Sequence, residues 1–152
     1  LIKRTSKDYI QSILSKKSDW KILDIGCGYS ANIFATTICD IQDLSEFYKE
    51  KNFIKLNSKN LPFKDNTFDN VFSYSVLQHL SSFNLFRTLK STHRVLKVNG
   101  FAKFQLMNTF ALRNLYIQIK RGFRKPINFE VRYHNIKRLS KVFNKIFNVL
   151  SF

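Results

Sequence analysis

At 152 residues, with 44% apolar content and 15% aromatics, the chain is long enough for one domain with a real core. Two cysteines and three histidines are too few for a disulfide scaffold or a zinc site, and no run approaches the about 18 apolar residues of a membrane span. The formal charge of +16 is lopsided: residues 1–76 carry 11 Lys+Arg against 9 Asp+Glu, whereas residues 77–152 carry 15 against 1.

That asymmetry has two readings. It points to an acidic partner such as nucleic acid, an anionic membrane surface or an acidic substrate. It also follows from AT-rich coding, since Lys, Asn, Ile and Phe are abundant, although that bias explains Lys better than the seven Arg of the second half. The sparse cysteines suit a reduced, cytoplasmic setting. The start, LIKRTSKDYIQSILSKK, lacks the apolar stretch of a secretory signal, and the first residue is not Met, so the sequence is expected to begin downstream of the biological start.

In chain order, apolar spacing at Tyr9, Ile10, Ile13 and Leu14 predicts a helix over 5–16. KILDI (21–25) reads as a short strand ending at a glycine pair, TTICDI (36–41) as a second strand and DLSEFYKEKN (43–52) as a short helix. FIKLNS (53–58) is a third strand, LPFKDNTF (61–68) a loop and DNVFSYSV (69–76) a fourth strand. FNLFRTLKSTHRVLK (83–97) places Phe83, Phe86, Leu89 and Leu96 along a helical face; VNG (98–100) punctuates, and FAKFQLM (101–107) is a fifth strand. Basic helices follow over 110–121 and 135–147, joined by a loop holding Pro126. Strands alternating with helices favour a parallel sheet with crossover connections.

The stretch LDIGCGYSAN (23–32) carries the chemistry. GCGYSA satisfies G-x-G-x-x-A, the turn of a nicotinamide dinucleotide site. Such a site lays a doubly negative pyrophosphate on the turn, and Asp24 just beneath would repel it. A ligand with a cationic amino group and no phosphate reverses the sign, and S-adenosylmethionine meets that description. Asp24 can help to hold its ammonium, or merely cap the turn. Gly26 and Gly28 allow the backbone to approach a ligand closely. Asp40, at the end of the second strand, can accept both ribose hydroxyls, or serve as a helix N-cap.

The chain resembles class I S-adenosylmethionine-dependent methyltransferases, in particular the small-domain group often called type 11. Besides the turn, LNSKNLPFKDNTFDNVFSYSVLQHL (56–80) is similar to that group's LPF, FD and His-bearing segment, and HRVLKVNGFAKF (93–104) to its RVLKPGG segment. These motifs cover about residues 20–107 in the family's order, with a basic helical part over 108–152. The resemblance implies one doubly wound, Rossmann-like α/β domain in three layers, with a mostly parallel sheet that stops short of the family's last one or two strands. It implies S-adenosylmethionine as cofactor, bound by Asp24, Gly26, Cys27, Gly28, Asp40, Ile41, Asn57, Ser58 and Ser75, with Ser75 to His79 bordering the active-site mouth. His79 is the candidate general base, with a packing or gating role as its alternative.

Several positions depart from the family pattern. Ser30 replaces the third Gly, the stretch from the turn to Asp40 leaves room only for an abbreviated first crossover helix, Asn57 replaces an Asp, and Asn99 stands where Gly is preferred. Asn tolerates left-handed backbone better than most residues. The acceptor is expected to be a small molecule, a metabolite or a glycan or lipid precursor. The segment RNLYIQIKRGFRKPINFEVRYHNIKR (113–138) has three readings: contact with nucleic acid, contact with an anionic membrane surface, or a solvated cover helix with its apolar side on the sheet. A degenerate binding domain without turnover is the rival from another class.

Overall fold

The computed structural model describes residues 19–57 and 59–148. The helix expected over 5–16 and the adenine-side Ser58 lie outside these residues.

Five short strands form one sheet: β1 (Ile22–Ile25), β2 (Thr37–Asp40), β3 (Phe53–Lys55), β4 (Phe68–Ser73) and β5 (Leu96–Phe104). Their order is β3-β2-β1-β4-β5 and every pairing is parallel. The central strands read ILDI, TICD and FDNVFS and are almost wholly buried, as expected where both faces of a parallel sheet are covered. The chain steps outward from β1 to β3, then crosses to the other side of β1 for β4 and β5. That reversal places the switch point at the carboxyl ends of β1 and β4, where open α/β sheets bind their ligands.

Helix α1 (Ser82–Val95) is capped by the Ser81 hydroxyl, which accepts from the Asn84 amide. Leu85, Leu89, Thr92 and Val95 recur at helical spacing and are buried. Val95 packs with Leu23, Ile25 and Val71 of the sheet, whereas Leu85 and Leu89 join Leu77 and two residues of the last described helix, α3 (Ile136–Phe143): Leu139 and Phe143. Between β5 and α3 lies α2 (Leu112–Lys120). The LPFKD loop is clamped from α1, because Arg94 donates to the Leu61 and Phe63 carbonyls and meets Asp65 at 2.6 Å.

Several expectations are corrected. Residues 43–52 form no helix but a run of turns, with Phe47 and Tyr48 both donating to the Leu44 carbonyl and Lys51 to that of Tyr48. So short a stretch nucleates a helix poorly, and here Leu44 is buried while the Tyr48 hydroxyl is engaged elsewhere. The fifth strand begins at Leu96 rather than at 101, because VNG is a bulge inside it: Leu96 faces Phe68, and the next paired residue, Phe101, faces Asn70. Asn99 takes φ 65°, and a Cβ on Gly100 would lie 2.6 Å from the Asp69 carbonyl oxygen. Lys97, within the bulge, meets both Asp69 carboxylate oxygens at 2.9 Å. The third and fourth strands end early, at Lys55 and Ser73. No further strand follows β5 among the described residues. The abbreviated crossover helix expected between β1 and β2 is absent: residues 26–36 form only turns and bends, too short a span to nucleate a helix.

Candidate functional site

Beyond β1 the chain makes its glycine turn. The Gly26 and Cys27 amides both donate to the Cys39 carbonyl of β2, at 2.7 and 3.1 Å. Gly26 takes φ +70°, and a Cβ there would lie 2.2 Å from a Val76 methyl, so Val76 occupies the space that a side chain would need. Gly28 differs: at φ +49° its missing Cβ would point into open space, with nothing within 4 Å. Gly26 therefore serves packing, and Gly28 leaves backbone approachable from outside. Tyr48 fastens the loop, its hydroxyl donating to the Gly28 carbonyl at 2.8 Å and accepting from the Ala31 amide at 3.0 Å.

Two carboxylates flank this turn. Asp24 is 3% exposed, and its Oδ2 accepts from the Asn32 amide at 2.8 Å. Its Oδ1 accepts nothing among the described residues. Burial pushes the Asp24 carboxyl above the usual carboxylate range, against the opposing pull of the Asn32 amide and the Lys51 cation. Asp40 ends β2, with Oδ2 accepting from the Gly28 amide and Oδ1 from the Gln42 amide, both at 2.9 Å. No helix follows it, so it caps the glycine turn instead of a helix. Each Asp40 oxygen retains a lone pair for a further donor.

The remaining expected residues are placed as follows. Cys27 turns its side chain into the core with Ile38 and Leu44. Burial, with Asp24 and Asp40 nearby, pushes its thiol up to about 12. Burial likewise pushes Cys39 up to about 12, so both are neutral thiols and poor nucleophiles. Ile41 follows Asp40 and is half-exposed at 50%. Asn57 is exposed, and its carboxamide oxygen accepts from the Lys59 amide. Ser75, at φ +59°, donates to the Gln105 side chain at 3.2 Å. His79 closes a 3₁₀ turn, Leu77–His79. Its Nδ1 meets the Phe129 carbonyl, which can only accept, so that nitrogen carries the proton. Its own carbonyl accepts from Arg132. Asp24, Gly26, Gly28 and Asp40 thus gather at the ends of β1 and β2, while Asn57, Ser75 and His79 follow β3 and β4 without hydrogen bonds to that group.

The contacts that Tyr48, Val76 and Asn32 make with the glycine turn and Asp24 have no signal in the sequence. Tyr48 lies in the stretch that reads as a helix, and nothing in its spacing links it to Gly28. Val76 falls in the 75–79 stretch expected at the active-site mouth, but nothing in the sequence links it to Gly26.

The basic segment is less covered than a helix lying on a sheet. α2 has no buried residue, and Leu112, at 86%, Tyr116 and Ile119 are exposed. Arg124 grips Glu130 through two nitrogens at 2.8 and 2.7 Å and holds that carboxyl down to about 2. Among the described residues no helix is long and apolar enough to cross a membrane, and no three His, Cys, Asp or Glu gather as a metal site would require.

Residues 23–104 match the family described as Methyltransferase domain. Uncharacterized protein MJ0638 of Methanocaldococcus jannaschii is 40% identical over 123 residues, covering 75% of this chain and 53% of that protein. The chain spans about half the length of the curated relatives it matches. A SAM-dependent methyltransferase of Methanosarcina mazei shares the fold with a TM-score of 0.69 at 20% identity, covering 88% of this chain and 82% of its own. The PH0226 protein of Pyrococcus horikoshii does so with a TM-score of 0.68 at 22% identity, covering 97% and 85%.

Proposed function

The chain belongs to this methyltransferase domain family, of class I fold and with S-adenosylmethionine as cofactor, and from that premise we propose that it methylates a small-molecule acceptor. The observation that carries the reading is the buried Asp24 carboxylate beneath a glycine turn whose Gly28 side is open. A buried anion there favours a cationic ligand and opposes a pyrophosphate. Asp40 would receive the ribose hydroxyls on its remaining lone pairs while its backbone bonds keep the turn in place. Ile41 offers an exposed apolar surface beside it, and Asn57 a carboxamide for the adenine edge.

When bound, S-adenosylmethionine supplies a methyl group on a good sulfonium leaving group. The protein's task is then chiefly to align the acceptor and exclude water. Where the acceptor must lose a proton, the candidate nitrogen is His79 Nε2, since Nδ1 is committed to Phe129; the Gln78 side-chain amide nitrogen lies 3.5 Å from it and would have to give way. The same two contacts, to Phe129 and from Arg132, make His79 the tie between the mouth and the basic segment.

Calorimetric titration with S-adenosylhomocysteine and with NAD tests the reading. Saturable binding of the former is expected, with NAD unable to displace it. Tighter binding of NAD would sink the reading.

A further inference from the structure

The segment after α2 folds back toward the start of α1 and lines an open cavity of about 480 Å3. Its wall carries Arg121, Arg124, Lys125 and Arg132, with Ser82 and His134 alongside. Among the described residues the carboxylate paired with these four cations is Glu130, and it is taken by Arg124. Arg121 donates to the Val131 carbonyl, and Arg132 to those of His79, Asn128 and Glu130. Bonds to carbonyls fix the guanidinium groups in direction without neutralising them. Lys125 has no acidic partner among the described residues. Like charges gathered on one concave wall repel one another, and an anion placed between them relieves that repulsion. Guanidinium forks match the oxygens of a phosphate.

The cavity also lies on the donor side of the molecule. Arg132 bonds His79, and Ser82 follows Val76, the residue seated on Gly26, by a stretch of chain that reaches at most about 20 Å. That is within the span of one small molecule.

We infer that the methyl acceptor carries a phosphate or pyrophosphate group and that this cavity holds it. The inference rests on the methyltransferase reading. Two sources share the chemistry: a soluble phosphoester, and a lipid headgroup whose apolar part would enter the adjoining groove between α1 and α3, lined by Leu85, Phe86, Leu139 and Val142.

The test is titration of the full chain with inorganic pyrophosphate at constant ionic strength. Saturable binding is expected. Arg121→Gln with Lys125→Gln should weaken it roughly tenfold or more, and Lys125→Gln alone, which breaks no hydrogen bond of the fold, should weaken it several-fold. Arg113→Gln, an exposed cation outside the cavity wall, should leave it unchanged. S-adenosylhomocysteine affinity should hold in all three variants. Loss of pyrophosphate binding in the wild type, with S-adenosylhomocysteine still bound, overturns the inference and spares the methyltransferase reading. Loss of both ligands overturns both. An effect of Arg113→Gln equal to the double variant also overturns the inference, since general surface charge then explains the binding. Co-sedimentation with phosphatidylcholine vesicles with and without phosphatidic acid separates the sources: capture that needs phosphatidic acid and fails in the double variant supports a lipid headgroup, and no capture alongside pyrophosphate binding supports a soluble phosphoester.

Discussion

Replacing Gly26 with alanine should destabilise the fold by roughly 2–5 kcal/mol, the sum of a left-handed backbone penalty of about 1–2 and an overpacking cost of about 1–3. For a chain of this size that lowers the melting temperature by about 5–15 °C. The cause is local: at φ +70° the new Cβ would stand 2.2 and 2.7 Å from the two Val76 methyls and 2.9 Å from the Val76 Cβ. Neither side yields easily, because Gly26 is held to the Cys39 carbonyl and Val76 opens the turn that carries His79. Val76→Ala removes both methyls, so Gly26→Ala should cost less in that background than in the wild type. A double-mutant cycle by thermal denaturation reads the coupling directly. Strictly additive losses would show that Val76 is not what requires the glycine.

Asp40→Ala should weaken S-adenosylhomocysteine by about 2–4 kcal/mol, given about 1.5–3 for each charged hydrogen bond and partial replacement by water. Two mechanisms contribute, since the carboxylate also holds the Gly28 and Gln42 amides. Comparing adenosine with 2′-deoxyadenosine separates them. If Asp40 receives the ribose hydroxyls, the wild type prefers adenosine and the variant loses most of that preference. A preference that survives intact assigns Asp40 to the turn alone.

The sheet was legible because its strands are short apolar runs bounded by turn residues, and because the order of motifs from the glycine turn to RVLKVNG fits only a few topologies. Asn99 could be read as a left-handed position from its chemistry, and φ 65° agrees. The failures have a common cause. DLSEFYKEKN carries a helical pattern, but its aromatic residues answer to the glycine loop: Tyr48 to Gly28 and Ala31, Phe47 to Tyr29. Such contacts join residues about 20 positions apart and leave no period in the sequence. Gly26 shows the same limit from the other side. Its need for a small residue was plain, but the neighbour imposing it is a valine 50 residues later. The Asp40 bonds to Gly28 and Gln42 were likewise hidden, since an acid at a strand end reads equally as a cap or as a ligand.

The central claim is that Asp24 lies under the turn because the ligand is cationic. Asp24→Asn keeps the side chain's shape and its acceptor for the Asn32 amide while removing the charge. Titrated with S-adenosylhomocysteine, adenosine and NAD, the variant should lose affinity for the first, which carries the ammonium, and bind adenosine, which lacks it, much as the wild type does. Stronger NAD binding in the variant, with S-adenosylhomocysteine untouched, would contradict the account.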